Sequence, residues 1–220
     1  RARVLLLSTT NLAVDQATVA VDKALEGAGR QALRERVQRL GSRIVASHYS
    51  GREHLLPVRD RELIASLTKL EAQRPPADDL AAFNLWSEQI EALRQRLRAQ
   101  TLAVLCNARL VSMTTTRAAF SLDDLRCVPR FDLVVFDEAS QIGLAHALAL
   151  MPLGRTRLFA GDPKQLAPVV RSPAKFAKRW LARSPFSEKP GDGASVCFLD
   201  EQSRMAEPIS QLVSHIFYDG

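Results

Sequence analysis

Two adjacent carboxylates follow a short apolar run near the middle of the sequence. Residues 133–136 read LVVF, and Asp137 and Glu138 come directly after them. A pair of like charges at the edge of an apolar core is costly unless something uses it. Mg²⁺ bound to a nucleotide needs a carboxylate and keeps several waters, so one acid is a candidate metal ligand and the other a candidate for orienting water. The alternative is that either acid only caps a helix.

A second polar cluster, GDPKQLAP, occupies residues 161–168. Gly161 permits a tight turn, and Pro163 fixes φ. Gln165 offers both a donor and an acceptor, which suits a side chain that detects a terminal phosphate. An ordinary strand-exit turn is the alternative interpretation. The two clusters together, hydrophobics followed by Asp-Glu and then this glutamine turn, favour a nucleotide site.

These clusters lie at the ends of strand-like runs. The apolar runs begin at residues 3, 108, 132 and 155, and a further short run, VCFL, covers 196–199. Short strands separated by helical patterns predict an α/β fold, with a parallel sheet and helices on both faces. In such sheets, ligands bind at the carboxyl ends of the strands.

A different pattern covers the region before residue 100. Apolar residues recur at helical spacing on both sides of Pro75–Pro76, which predicts an antiparallel helical hairpin. The residues concerned are Leu63, Leu67, Leu70, Leu80, Phe83, Trp86, Ile90, Leu93 and Leu97. We therefore expect a sheet domain formed by 1–43 and 101–220, with an inserted helical arm at 44–100.

Composition limits the class of protein. Apolar residues make up 46% of the chain and charged residues 25%, which is typical of a globular protein and excludes disordered, collagen-like and disulfide-rich chains. No apolar run approaches the roughly 18 residues that a membrane span needs, so we expect no membrane partner. The net charge of +6 permits a nucleic-acid partner.

The cysteines, an arginine-rich run and a helix-capping residue give three further expectations. Cys106, Cys127 and Cys197 are far apart, which fits reduced, buried cysteines and a cytoplasmic location. The arginine-rich run at 30–43 predicts a solvated helix face, with contact to a phosphate backbone as the alternative. Asn11 can cap the helix that follows the first strand.

Taken together, the motifs resemble those of superfamily 1 helicases, in the branch that contains the nonsense-mediated-decay helicase and its bacterial relatives. STTNLAVD (8–15) is similar to motif Ia, and VSMTTT (111–116) to another nucleic-acid-contacting motif. FDEASQ (136–141) resembles motif II, the Walker B motif, and GDPKQLAPV (161–169) resembles motif III. Residues 199–220 resemble the segment that leads into the second motor domain. The resemblance implies a RecA-like P-loop NTPase fold.

The resemblance also implies roles for the nucleotide site. Asp137 would hold Mg²⁺, and Glu138 would activate the attacking water. Gln165 would couple the phosphate state to the grip on nucleic acid. Arg204 would reach the γ-phosphate, where an arginine neutralises developing charge; a surface ion pair with Asp200 or Glu207 is the alternative. The remaining residues of the implied nucleotide site are Gly161, Asp162 and Gln202.

A nucleic-acid track is implied as well. Thr10, Asn11, Thr114 and Thr115 would bond the sugar-phosphate backbone, although helix capping explains the same residue types. The implied cofactors are ATP and Mg²⁺. The implied partners are single-stranded DNA or RNA and a second RecA-like domain of the same chain.

Two departures from the family pattern qualify this resemblance. Ser203 stands where relatives often have a tyrosine, and no GxxxxGK[ST] phosphate loop occurs in the sequence. We expect that loop to lie before Arg1, in a longer protein of which this is part of the first motor domain, so the chain alone should hydrolyse little ATP. A non-catalytic nucleic-acid-binding or scaffolding module with a decayed ATP site, and another type of P-loop ATPase, remain alternatives.

Overall fold

The computed structural model describes residues 2–58, 60–76, 78–187 and 195–218. Five parallel strands form a sheet in the order β2-β3-β1-β4-β5. Among the described residues, no helix is long and apolar enough to cross a membrane. The strands are β1 Val4–Ser8, β2 Val37–Arg39, β3 Leu110–Thr114, β4 Phe131–Phe136 and β5 Gly154–Phe159. The α-helices are α1 Asn11–Gly27, α2 Gln31–Arg34, α3 Arg61–Ala72, α4 Leu80–Asn107, α5 Thr115–Phe120, α6 Leu122–Cys127, α7 Leu144–Leu150, α8 Lys175–Leu181 and α9 Glu207–Phe217.

Both faces of the sheet carry helices. Alternate residues of β1 and β3, as the period of two in a strand requires, pack into one large core with residues of β4, α5, α6 and α7. On the opposite face, Thr18 of α1 shares a 2.7 Å hydrogen bond with Ser112 of β3. The predicted α/β fold with a parallel sheet is therefore confirmed, and it is the arrangement of a RecA-like P-loop domain.

The helical hairpin is also confirmed. Trp86 Nε1 on α4 donates to the Leu70 carbonyl on α3 at 2.7 Å, and Arg94 pairs with Glu71 at 2.9 Å. These contacts join the first half of α4 to the end of α3. Further along α4, Gln100 Nε2 lies 3.4 Å from Asp60 Oδ2 at the start of α3, so the two helices are antiparallel. The last turns of α4 enter the main core, where Leu105 is buried.

The residues before the hairpin pack against the sheet. Two 3₁₀ turns, Ala46–Tyr49 and Glu53–Leu55, bury Tyr49 and Leu55 in a second, smaller core with Val37 of β2. Residues 46–55 thus adjoin the sheet, although the predicted arm includes them. The division of the chain into domains stays a prediction.

Three local predictions are wrong. VCFL (196–199) is exposed and forms neither strand nor helix. The arginine-rich run 30–43 contains strand β2 as well as the short helix α2, and Arg39 within it is buried because its charge is paired. The three cysteines are exposed rather than buried, because they lie at the ends of α4 and α6 and in the irregular 195–200 segment.

Candidate functional site

The polar segments after the strands lie at one edge of the sheet. Ser8 at the end of β1 pairs with Thr114 at the end of β3, and Leu7 pairs with Phe136 at the end of β4. Phe136 in turn pairs with Phe159 at the end of β5. The segments that follow these strands therefore start side by side at the carboxyl edge, which is where ligands bind in such sheets.

The acidic doublet forms a strained loop directly after β4. The amide of Asp137 donates to the Leu7 carbonyl at 2.8 Å, which ties the loop to β1. Glu138 has φ 52° and ψ 44°, and it is the one non-glycine residue with positive φ among the described residues. A left-handed conformation is unfavourable for a residue with a Cβ and often occurs at functional sites. The backbone thus holds the Glu138 side chain in a fixed position.

Within the described part of the chain, neither acid has a cationic partner. Both side chains are partly buried, and the described residues contain no ion pair to either of them. Burial raises the pKa of Asp137, while a hydrogen bond from the Glu138 amide opposes that shift. A nearby cation favours the charged form of a carboxyl. The charged form of Asp137 is therefore a suitable partner for a bound metal ion.

Where the structure describes the chain, three buried hydroxyl oxygens have no hydrogen-bond partner: Ser8 Oγ, Thr9 Oγ1 and Ser140 Oγ. Ser8 and Thr9 end β1, and Ser140 lies two residues after Glu138. Buried polar groups normally have partners, so these hydroxyls can bond to a water or donate to a phosphate oxygen. Among the described residues, no cluster of three or more acidic, histidine or cysteine side chains can hold a metal by itself. This chemistry fits Mg²⁺, which uses one or two carboxylates, waters and substrate phosphates.

The glutamine turn packs on the loop that carries the acids. The amide of Ala139 donates to the Ala160 carbonyl at 2.9 Å. Gly161 has φ 156°, and a Cβ there would lie 2.8 Å from the Ala139 nitrogen. Only a glycine permits this approach, so Gly161 brings the two segments together.

Within the turn, Asp162 organises the polar side chains. It accepts hydrogen bonds from the Lys164 amide at 2.9 Å, from Gln165 Nε2 at 3.1 Å and from the hydroxyl of Tyr218. Burial alone would raise the pKa of Asp162, but these hydrogen bonds lower it. The Lys164 ammonium also lies 5.5 Å from the centroid of the Tyr218 ring. The lowered pKa favours the charged form of Asp162, which holds the side chain of Gln165 through its hydrogen bond.

A cleft of about 420 Å³ joins the two segments. It is lined by Gln141, Lys164, Gln165, Leu166 and Ala167. Gln141 Nε2 lies 3.4 Å from Glu138 Oε2, so the cleft connects the acidic loop with the predicted phosphate-sensing glutamine. Sequence reasoning did not single out Gln141 or Tyr218. The signal for Gln141 was its position three residues after Glu138, which puts both on one side of a single helical turn.

Gln202 and Arg204, which precede α9, form no described hydrogen bond or ion pair with the residues that line this cleft. Gln202 Oε1 accepts from the amides of Arg204 and Met205 at 3.0 and 2.8 Å, and its Nε2 donates to the Met205 carbonyl at 3.2 Å. Gln202 therefore shapes the loop before α9. Arg204 is exposed. Their roles at the nucleotide stay proposals.

The predicted nucleic-acid residues begin two helices at the carboxyl edge. Thr10 accepts from the Ala13 amide at 3.1 Å and caps α1, so the predicted cap at Asn11 is wrong by one residue. Thr114 accepts from the Arg117 amide at 3.2 Å and caps α5, and Thr115 is buried. Each capping hydroxyl still has a hydrogen to donate, so capping and phosphate binding are compatible.

A buried ion pair holds Asn11. Arg39 Nε donates to Asp15 Oδ1 at 2.7 Å, and Arg39 Nη2 donates to Asn11 Oδ1 at 2.9 Å. Asp15 also accepts from the Tyr49 hydroxyl at 2.7 Å and from the Val45 amide at 2.8 Å. Because Arg39 can only donate, it occupies the oxygen of Asn11 and leaves the amide NH₂ available for an acceptor.

Comparison with known proteins identifies the family to which this chain belongs. The family described as an AAA domain matches residues 52–173, more than half of the chain, and the chain belongs to that family. With the relatives below, this shows a superfamily 1 helicase-like protein.

Two relatives come from Schizosaccharomyces pombe. The DNA replication ATP-dependent helicase/nuclease dna2 is 36% identical over 94 residues, and the DNA polymerase alpha-associated DNA helicase A is 38% identical over 91 residues. Each alignment covers 41% of this chain, but only 6% and 13% of the respective relative. Helicase SEN1 of Saccharomyces cerevisiae is 28% identical over 166 residues, which cover 75% of this chain and 7% of SEN1. The chain thus spans a small part of these relatives.

Proposed function

We propose that the chain is part of an ATP-dependent nucleic-acid helicase or translocase. It binds Mg²⁺–ATP at the strand ends and single-stranded nucleic acid across the top of the sheet. The observation that carries this proposal is the cleft shared by Gln141 and Gln165, because it links the acidic loop to the glutamine turn. The helicase relatives support the same activity.

The nucleotide chemistry follows from the acidic loop. Asp137 would hold Mg²⁺, which neutralises charge on the phosphate oxygens when it is bound. Glu138 orients the attacking water and accepts its proton, and its fixed backbone reduces the cost of positioning. Gln165, held by Asp162, contacts the terminal phosphate, with Gly161 allowing the turn to approach. Arg204 would stabilise the developing charge, with Gln202 shaping its loop.

The nucleic acid binds at the first residues of α1 and α5, at the same edge of the sheet. The hydroxyls of Thr10 and Thr114 and the amide of Asn11 donate to phosphate oxygens, with Thr115 beside them. Such contacts position a strand without reading its sequence. The strand is single-stranded DNA or RNA, and a second RecA-like domain closes over the nucleotide.

Glu138→Gln in the full-length protein tests this function. The substitution keeps the shape of the side chain but removes the base, so ATP hydrolysis should fall by at least about 100-fold. Binding of a fluorescent Mg²⁺–ATP analogue should remain. Glu88→Gln on the exposed face of α4 is the matched control and should leave hydrolysis unchanged.

The other outcomes distinguish the alternatives. Loss of nucleotide binding in Glu138→Gln would assign Glu138 a structural role. A wild-type protein that binds nucleic acid but not Mg²⁺–ATP would be a non-catalytic binding module. Hydrolysis that nucleic acid does not stimulate would favour another type of P-loop ATPase.

A further inference from the structure

One segment of the chain is basic without any acidic residue. Residues 163–187 contain six lysines and arginines and no acidic residue. The whole chain carries a net charge of +6, so its other 24 basic residues are balanced by its 24 acidic residues. This basic segment, which starts in the glutamine turn and contains α8, therefore contributes a local positive field that attracts a polyanion.

Helix α8 combines this charge with exposed aromatic surface. Lys175 and Lys178 are exposed and three residues apart, so they share one face of the helix. The Phe176 side chain is 76% exposed, and its ring centroid lies 6.5 Å from that of Trp180. The Arg179 guanidinium lies 5.5 Å from the Trp180 ring centroid. Single-stranded nucleic acid binds such surfaces, because bases stack on the rings and phosphates pair with the cations.

The end of α8 packs against the loop that follows the acids. A Cβ at Gly143 would lie 2.9 Å from the Leu181 carbonyl oxygen, and the Leu144 amide donates to the Arg183 carbonyl at 2.7 Å. A Cβ at Gly161 would lie 3.2 Å from the Phe186 ring. The basic segment therefore contacts the acidic loop and the glutamine turn at the two positions where glycine permits close approach.

We propose that the exposed surface of α8, with the two lysines on one side and Phe176 about 100° round the helix from Lys175, is a second binding surface for the single strand. This inference rests on the proposed function, since it gives the strand a path beyond Thr10, Asn11 and Thr114. Lys175 and Lys178 bind phosphates, and a base stacks on Phe176. An acidic protein segment would satisfy the charges but offers no flat π surface to Phe176, whereas every unpaired base does.

The test compares charge-matched variants of the full-length protein. Lys175→Glu with Lys178→Glu should weaken binding of labelled oligo-dT and oligo-U at least about tenfold, measured by fluorescence anisotropy. The slope of log affinity against log salt should become shallower by about 1.4, since two phosphate contacts are lost. The control, Lys23→Glu with Arg126→Glu, changes the net charge equally at exposed positions on α1 and α6 and should retain wild-type affinity and slope.

Phe176 gives an independent measurement. Phe176→Ala should weaken binding between about 5-fold and 100-fold without changing the salt slope, because stacking is lost but no charge is removed. Phe176→Tyr keeps the ring and should restore the affinity. A loss in Phe176→Ala that Phe176→Tyr does not restore would overturn the stacking role.

The outcomes separate this inference from the proposed function. If Thr114→Ala and Asn11→Ala weaken strand binding but the α8 variants do not, the α8 surface is overturned and the proposed function stands. If the α8 variants lose affinity only for polyglutamate, the surface binds acidic protein segments instead. If the wild-type protein binds no single strand, both proposals fail.

Discussion

Arg39 shows how a single residue links the fold to the proposed nucleic-acid track. Its guanidinium and the Asp15 carboxylate are fully buried, and the pair is satisfied by Asn11, Tyr49 and backbone groups. Burying two charges is costly, but removing one of them leaves the other uncompensated. Arg39 therefore stabilises both strand β2 and the orientation of Asn11.

Arg39→Ala should lower the free energy of unfolding by about 3–5 kcal/mol, because Asp15 then remains buried without its cation. Urea denaturation followed by circular dichroism measures this change. Arg30→Ala removes an exposed arginine from the same run and should change stability by no more than about 0.5 kcal/mol. Equal midpoints for the two variants would show that the buried pair contributes nothing.

At the scale of elements, the two glycine contacts set the distance between the acidic loop, the glutamine turn and α8. Gly161→Ala introduces a Cβ at positive φ that collides with the Ala139 nitrogen. We expect a loss of about 1–3 kcal/mol in stability and weaker nucleotide binding. Thermal unfolding and fluorescent-ATP titration measure the two effects.

Gly27→Ala is the control for that change. A Cβ at Gly27 meets no atom within 4 Å, and the residue ends α1. Stability should stay the same or rise by about 0.4–1 kcal/mol, since alanine restricts the unfolded chain. If Gly161→Ala behaved like Gly27→Ala, the close approach of the two segments would not be essential.

Most strands of the sheet, but not all, could be predicted from the sequence. Strands β1, β3 and β4 were predictable because a buried parallel strand is a mostly apolar run. Strand β5 is an exposed edge strand of sequence GRTRLF, and it was predictable only because the glutamine-turn motif follows it. Strand β2 was not, because it has three residues and ends at Arg39, whose burial depends on a partner 24 residues away in α1. VCFL has the apolar pattern of a strand but lacks a neighbouring strand to pair with.

Some residues of the candidate site were predictable from the sequence and others were not. Asp137, Glu138, Gly161 and Gln165 were predictable from local motifs. No motif specifies the other contacts. The Tyr218–Asp162 and Arg39–Asn11 hydrogen bonds join residues far apart in the chain. The Gln141–Glu138 contact depends on the conformation of a single backbone turn. The closeness of the acidic loop to the glutamine turn was predictable only through the rule that parallel strands end at one edge.

At the scale of the whole molecule, a second charged cluster joins α1 to the residues after β2. Asp22 of α1 is buried and pairs with Arg34 at 2.8 Å, with Arg52, and with His54 at 2.9 Å. Glu26 also pairs with both arginines at 2.9 Å. The cluster connects α1, α2 and the turn before the hairpin. Its charge state therefore affects how the Glu53–Leu55 turn is held against α1.

This cluster predicts how stability depends on pH. Burial alone would raise the pKa of Asp22, but hydrogen bonds from Arg34 and His54 lower it to about 2. An unfolded aspartate has a pKa of about 3.9. Since the folded pKa is the lower one, the contribution of Asp22 is complete above about pH 5 and is lost as the pH falls toward about 2, a change on the order of 2 kcal/mol.

Asp22→Asn separates this contribution from general acid denaturation. Urea denaturation at a series of pH values should show the variant less stable than wild type at neutral pH. The difference should shrink by about 2 kcal/mol between about pH 6 and pH 2, because protonation removes the same charge in wild type. Asp123→Asn on the exposed face of α6 should follow wild type throughout. A difference that stays constant with pH would mean that the cluster acts through packing of the Asp22 side chain, and its charge would then have no part in holding the Glu53–Leu55 turn against α1.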